Sequence, residues 1–223
     1  MPDIPNRDEL ESEYAKEVSK LLKTLAGRLL EAMGDPPDLS NLDQAFWDEQ
    51  TKEALAVLIP FGERIFMQAA RRLLLEQPVG VEWDVIHEAA VDWASAYSFS
   101  YVSNLRANTM RFLQKVISRY FTEGMTIGQL ESTLLRHFDP VRAEMIAVTE
   151  VTRAAAQGEL AVLKELQAMG YQMEVRWNTN HDELVCPICR PLNQKKQGDS
   201  WNEPPPAHPR CRCWLNITLS RAG

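Results

Sequence analysis

The stretch CPICRPLNQKKQGDSWNEPPPAHPRCRC, from Cys186 to Cys213, holds all four cysteines of this 223-residue chain and one of its four histidines. A segment of this length, rich in proline and polar residues, has no helical or strand periodicity. Structureless loops of such length are uncommon inside a compact domain unless something holds them. The segment therefore predicts a crosslink or a bound group near its two ends.

Donor spacing in the segment favours a metal ion as that group. Cys186 and Cys189 form a C-x2-C pair, and His208, Cys211 and Cys213 follow after 18 intervening residues. Zn²⁺ takes four thiolate or imidazole ligands in a tetrahedron, and two ligands from each end would close the loop. We therefore predict a structural Zn²⁺, whose binding free energy would contribute directly to folding.

Five donors compete for four ligand positions. Residues two apart on an extended chain point to opposite faces, so Cys211 and Cys213 cannot both bind one ion without a local turn. The favoured set is Cys186, Cys189, Cys211 and His208, with Cys213 beginning a strand and facing the core. The four-cysteine set remains the alternative.

Other uses of the cysteines are weaker interpretations. The N-terminus, MPDIPNRDELESEYAKE, is acidic and polar and does not resemble a secretory signal, so we expect a reducing cytoplasm at synthesis. Two disulfides, conceivable in a particle that leaves the cell, and free buried thiols stay open. A catalytic zinc is disfavoured because the donors suffice to close the site. A redox-active C-x-x-C is disfavoured because no βαβ pattern surrounds it.

Outward from the cysteine segment, the sequence pattern is mainly helical. Apolar residues recur every three or four positions, Ser40, Thr126 with Gln129, and Asp139 are candidate helix caps, and Pro60 is expected to break or kink a helix. After Gly170, YQMEVRWNT and CWLNITL alternate as strands do. The predicted helices span residues 7–33, 42–58, 61–75, 84–121 (as one helix or two), 126–137 and 140–170, and the predicted strands, an antiparallel pair, span 171–179 and 213–219.

These elements predict a mainly α fold. An N-terminal helical docking or bundle region, residues 1–120, precedes a small α+β domain, residues 121–223. That domain would contain the long helix, the short antiparallel strands and the zinc-stapled loop. No apolar run is long enough to span a membrane.

The net charge of −7 is unevenly distributed. Residues 1–63 contain 14 acidic and 6 basic side chains, whereas the remainder is nearly neutral. The acidic N-terminal region is a poor surface for DNA, because it would repel phosphates. It is more typical of a solvated face or of a docking surface for a basic protein patch. Candidate phosphate contacts surround the metal segment, although Asp182, Glu183, Asp199 and Glu203 oppose them. These candidates are Arg190, Lys195, Lys196, Arg210 and Arg212.

Three ordered stretches resemble a known family. GMTIGQLESTLLRHFDPVRAEMIAVTEVTRA, then RWNTNHDELVCPIC, then PPPAHPRCRCWL together resemble the C-terminal domain of the phage Mu F-like head morphogenesis proteins, over about residues 120–219. Each motif is weak alone, but the set in this order is specific. The chain has PLNQKK after the C-x-x-C where the family often has Leu-Asp-Gly, which puts a role for that turn in doubt.

The resemblance implies a minor head or minor capsid protein present in few copies. It implies partners in the portal or the major capsid protein and possibly the packaged DNA, with a location in the virion, at the capsid interior or portal vertex, after assembly in the host cytoplasm. It places suspected metal ligands on Cys186, Cys189, His208, Cys211 and Cys213. It also places a Thr-Glu-x-x-Arg motif on Thr149, Glu150 and Arg153, and an aspartate on Asp182.

We expect Glu150, Arg153 and Asp182 to act as a structural brace. Arg153, on the long helix, would reach Asp182 or a loop carbonyl and dock the zinc segment on that helix. No H-E-x-x-H, G-x-S-x-G or Walker motif is present, so we predict that the protein is not an enzyme. A zinc-stabilised nucleic-acid-binding module is the alternative function, and a zinc-dependent hydrolase is a weaker one.

Overall fold

The computed structural model describes residues 4–77, 80–179 and 185–220. Its described part is mainly helical, with one two-stranded antiparallel sheet, as the sequence predicts. Among the described residues, no helix combines the length and apolar character needed to cross a bilayer. The helices are α1 (Arg7–Met33), α2 (Gln44–Leu75), α3 (Trp83–Glu123), α4 (Ile127–His137) and α5 (Pro140–Ala168), and the strands are β1 (Met173–Asn178) and β2 (Trp214–Leu219).

Several helix ends follow from local chemistry. The Thr126 side chain accepts a hydrogen bond from the Gln129 amide, and the Gln129 side chain accepts one from the Thr126 amide, which completes the predicted capping box of α4. Asp139 caps α5 by accepting a hydrogen bond from the Arg142 amide at 2.8 Å, with Pro140 as the first helical residue. The predicted starts of both helices are confirmed.

Two local predictions about α2 are wrong. Asp43, not Ser40, is the N-cap, and its carboxylate accepts from the Phe46 amide at 2.8 Å. The helix also continues through Pro60 instead of separating into two helices. Pro60 cannot donate to the carbonyl of Ala56, but both residues are exposed, so water can bind the freed oxygen.

Helix α5 is central to the packing. Its first half joins α1, α2, α3 and α4 in one hydrophobic cluster, which includes Leu29, Leu113 and Ala147. Its second half joins the end of α2, the start of α3 and the sheet in another, which includes Phe66 and Trp177. The division of the chain at residue 120 stays a prediction.

The sheet places the two ends of the cysteine segment side by side. Strands β1 and β2 pair antiparallel, with Val175 opposite Ile217 and Trp177 opposite Leu215. Lys195 of the intervening segment accepts a hydrogen bond from the Trp177 amide at 3.0 Å, so part of the segment lies along the other edge of β1. The cysteine segment is therefore folded back onto the sheet and onto α5.

Candidate metal centre

Sulfur and imidazole donors from the two ends of the cysteine segment meet in one place. The Cys186 and Cys189 sulfurs lie 2.9 Å and 3.2 Å from His208 Nε2. The Cys189 and Cys211 sulfurs are 3.7 Å apart. Tetrahedral Zn–S bonds of about 2.3 Å place two sulfurs about 3.8 Å apart, so the Cys189–Cys211 separation suits a shared ion.

The five donors form two overlapping groups. The ligand atoms of Cys186, Cys189 and His208 lie within 4.8 Å of one another, and so do those of Cys189, Cys211 and Cys213. Cys189 belongs to both groups, and all five side chains line one cleft. The residues are therefore positioned to hold a metal ion, and the geometry alone leaves both predicted four-ligand sets open.

Local backbone structure presents the first pair of thiols. The Cys189 amide donates to the Cys186 sulfur at 3.3 Å, and the Arg190 amide donates to the Cys186 carbonyl at 3.0 Å. These bonds form a tight turn in which both sulfurs face the same cleft. Cys189 is buried and Cys186 is half-buried.

One ring nitrogen of His208 is hydrogen-bonded to the main chain, and the other faces the cysteine thiols. Its Nδ1 lies 2.7 Å from the Pro209 carbonyl, which can only accept, so Nδ1 carries the proton. Nε2 then presents its lone pair to the thiols of Cys186 and Cys189. A carbonyl that accepts a hydrogen bond from the other ring nitrogen fixes the imidazole orientation in many metal sites.

The pKa values of the three buried thiols are shifted in different directions. The neighbouring Cys213 thiol is the main reason that the pKa of Cys211 is lowered to about 5, which favours the metal-binding thiolate. Burial raises the pKa of Cys189, and the proximity of Cys211 raises the pKa of Cys213. Cys213 is buried directly before β2, which begins at Trp214 and not at Cys213 as expected.

Two threonines of α5 attach the cysteine segment to the helix. The Thr152 hydroxyl donates to the Cys211 carbonyl at 2.6 Å, and it accepts from the Arg7 guanidinium of α1. The Thr149 hydroxyl accepts from the Arg210 amide at 2.9 Å. The second half of the metal cluster is therefore held against α5 through its main chain.

A buried ion pair holds the start of β2 about two turns further along α5. Glu159 is 1% exposed, pairs with Arg72 of α2, and accepts a hydrogen bond from the Leu215 amide at 3.3 Å. Sequence reasoning missed Thr152 and Glu159 as docking groups. The i, i+3 spacing of Thr149 and Thr152, which puts both hydroxyls on one helix face, was the available signal.

Glu150 and Arg153 lie beside the aromatic side chains of α3. Glu150 is 3.5 Å from the Arg153 guanidinium, which lies 5.3 Å from the centre of the Tyr97 ring. Burial raises the pKa of Glu150 despite the opposing effects of Tyr97 and Arg153. Asp182 lies outside the described residues, so its contact with Arg153 stays a prediction.

Three of the five candidate phosphate-binding residues are already paired. Lys196 pairs with Glu174, Arg210 lies 3.7 Å from Glu144 of α5, and Arg212 pairs with Asp8 and Glu11 of α1. Arg190 and Lys195 are exposed, with no carboxylate partner among the described residues. The structure thus leaves two of these cations without an ion-pair partner in its described part.

Fold and site together define a mainly helical protein in which a Cys/His cluster lies against α5 and the two-stranded sheet. Residues 112–216, just under half of the chain, match the model of the phage Mu protein F like family, which confirms the resemblance. The matched region runs from the second half of α3 into β2 and includes every candidate metal ligand. Over this region the chain is similar to the phage Mu protein F like family.

The match indicates a relation to a phage protein family over this region. No significant match was found among curated proteins or solved structures.

Proposed function

We propose that the protein is a minor head protein of a phage or prophage, a low-copy structural component that acts in head assembly. The family match over residues 112–216 is the observation that carries this proposal. Its partners would be the portal, the major capsid protein or both. The protein would be in the host cytoplasm during assembly and then at the capsid interior or portal vertex, where it could act in DNA packaging or ejection.

A structural Zn²⁺ fits the donor set and its surroundings. Two thiols come from a tight turn, and one imidazole has its Nε2 available. The Cys211 sulfur lies 3.7 Å from that of Cys189, and the Cys213 sulfur lies within 4.8 Å of it. The hydrogen bonds from α5 to the second half of the cluster would keep the donors in place before the ion binds. The ion would then join the two ends of the segment into one rigid cap.

Co-purification with assembly intermediates tests the assembly role. A tagged full-length chain, expressed in cells during phage production, should sediment with portal-containing procapsids. Deletion of its gene should reduce the yield of filled heads. If neither procapsids nor purified portal retain the protein, and heads form normally without it, the proposal is wrong.

Exposed Arg190 and Lys195 are the observation that keeps a nucleic-acid-binding module as a second candidate. Such binding would fall steeply with salt, because it would depend on counterion release. The pairing of Lys196, Arg210 and Arg212 with carboxylates argues against a large phosphate footprint. Salt-insensitive or absent DNA binding would dismiss this candidate, and the absence of hydrolysis by zinc-loaded protein would dismiss the hydrolase.

A further inference from the structure

A groove runs along the outside of the helix bundle, between α1 and the first turns of α5. One face of α1, from Asp8 to Thr24, forms one wall, and Pro140, Glu144 and Val148 of α5 form the other. With a rise of about 1.5 Å per residue, the α1 wall extends about 24 Å. At the Asp8 end, Glu11, Glu144 and Val148 also line the cleft of the metal cluster.

Three lysines give the groove a positively charged stretch. Lys16, Lys20 and Lys23 are exposed and, at spacings of four and three residues, share one face of α1. Among the residues that the structure describes, none of them lies within ion-pair distance of a carboxylate. Glu13, a nearby acid on α1, pairs with Arg64 of α2, and Arg64 lowers the pKa of Glu13 more than the charge of Lys16 does.

Carboxylates at the other end of the groove are already neutralised. Arg212 pairs with Asp8 and Glu11, and Arg210 with Glu144. The cysteine segment thus compensates the acidic end and leaves the lysines as the net charge of the groove. This basic surface lies within residues 1–63, which carry most of the negative charge of the chain.

We infer that this groove binds an acidic helical segment of a partner protein. The α1 wall includes the small side chains of Ser12, Ala15 and Ser19, which allow another helix to approach closely. Helices pack about 8–10 Å apart, and a helix laid between two others buries one side in their groove. Acidic residues at i, i+4 and i+7 of the incoming helix would face the three lysines.

A protein partner fits this surface better than nucleic acid does. A phosphate backbone that followed the full groove would pass from the lysines to the carboxylates of Asp8, Glu11 and Glu144. If the phosphates displaced the arginine partners of these carboxylates, the carboxylates would repel them. An acidic helix needs negative charge over only two turns and can be uncharged over the rest. The inference does not depend on the assembly role or on the metal ion.

Fluorescence anisotropy with a labelled probe tests the groove in the full-length protein. The probe is a helical peptide of about 20 residues with glutamates at i, i+4 and i+7 and alanines on the facing side. A control peptide has the same composition in scrambled order, and a single-stranded DNA of similar length represents nucleic acid. We expect the ordered peptide to bind most tightly, and its affinity to fall with added salt.

Matched charge reversals separate the groove from general electrostatics. The variant K16E/K20E/K23E should weaken peptide binding at least tenfold. The variant K52E/K115E/K164E changes the net charge equally at exposed lysines outside the groove and should bind as the unmodified protein does. Ser12→Trp, which fills the groove without a charge change, should also weaken binding.

Equal losses in the two triple variants would overturn the inference, since binding would then reflect net charge alone. Tighter binding of DNA than of peptide, lost in K16E/K20E/K23E, would assign the groove to nucleic acid instead. No binding of the ordered peptide at low salt would also overturn it. Failure of any of these tests leaves the head-assembly proposal standing, because procapsid association is measured separately.

Discussion

A Cβ atom at Gly158 would lie 2.1 Å from the carbonyl oxygen of Phe66, far inside any real contact distance. Gly158 is on α5 and Phe66 is on α2, so the missing side chain sets how closely these two helices approach. The backbone of α2 cannot yield as a flexible side chain would. This one position therefore fixes a central packing distance of the protein.

Gly158→Ala should lower the free energy of unfolding by about 2 kcal/mol or more, because the added methyl group forces the two backbones apart. Gly27→Ala on α1 is the matched control, since a Cβ there meets nothing within 4 Å. It should raise stability by about 0.5–1 kcal/mol. Urea unfolding followed by circular dichroism measures both; similar effects of the two changes would contradict the packing explanation.

Substitution of single residues would show which four of the five candidate side chains bind zinc. We expect Cys213→Ser to retain one equivalent of zinc, and Cys186→Ser, Cys189→Ser, Cys211→Ser and His208→Ala each to lose most of it. The reason is that Cys213 is buried directly before β2, and that its neighbour Cys211 is the thiol whose pKa is lowered toward the thiolate. Metal analysis of each purified variant gives the result. Zinc lost from Cys213→Ser and kept in His208→Ala would favour the four-cysteine set.

At the scale of elements, α5 serves as the platform on which the cysteine segment is assembled. Its outward hydroxyls and its buried carboxylate bind main-chain groups, so they fix the path of the segment whatever side chains it carries. Thr149, Thr152 and Glu159 contact residues 210, 211 and 215 in the same order along the helix. The sheet then anchors both ends of the segment.

Thr152→Val should destabilise the protein by about 1–3 kcal/mol, because the Cys211 carbonyl and the Arg7 guanidinium both lose a buried partner. The shape of the side chain is unchanged, so packing losses are small. Thr133→Val is the control: the Thr133 hydroxyl only bonds the Gln129 carbonyl within its own helix. Urea unfolding of the zinc-loaded variants measures the difference. Equal stability of Thr152→Val and the parent would show that the hydroxyl does not dock the segment.

At the scale of the whole molecule, the two hydrophobic clusters differ in their relation to the metal. The larger helical cluster contains no cysteine, whereas the other includes Cys189, Cys211 and Cys213 packed with Trp177 and Trp201. The rings of these two tryptophans lie 5.4 Å apart. Loss of the ion should therefore affect the sheet end first.

Removal of zinc by a chelator should leave most of the helical circular dichroism and expose the cysteine segment to protease. The helical cluster keeps its own contacts, but the segment loses the crosslink between its ends. Limited proteolysis with mass spectrometry should find new cleavages between Cys186 and Cys213, and added Zn²⁺ should suppress them. A protein that purifies without metal and keeps the same cleavage pattern in chelator would contradict a structural zinc.

Periodicity and cap chemistry were enough to predict most helices and the antiparallel strand pair. They failed at Pro60, because core contacts on both sides of it, at Leu58 and Ile65, offset the cost of a proline inside the helix. They also left open whether residues 84–121 form one helix or two; the structure has the single helix α3. Propensity is a local quantity, and packing against α2 decides the outcome.

The sequence by itself determined the five candidate metal donors, because the spacing of thiols and imidazole along the chain is a property of the chain alone. It also determined the family resemblance and the mainly helical class. Only the tertiary structure decided that Thr152 holds the cysteine segment and Glu159 holds β2, that Arg212 pairs with carboxylates of α1, and that three lysines share an open groove. These roles depend on which distant elements pack together, and burial and distance in space have no local signature in the order of residues.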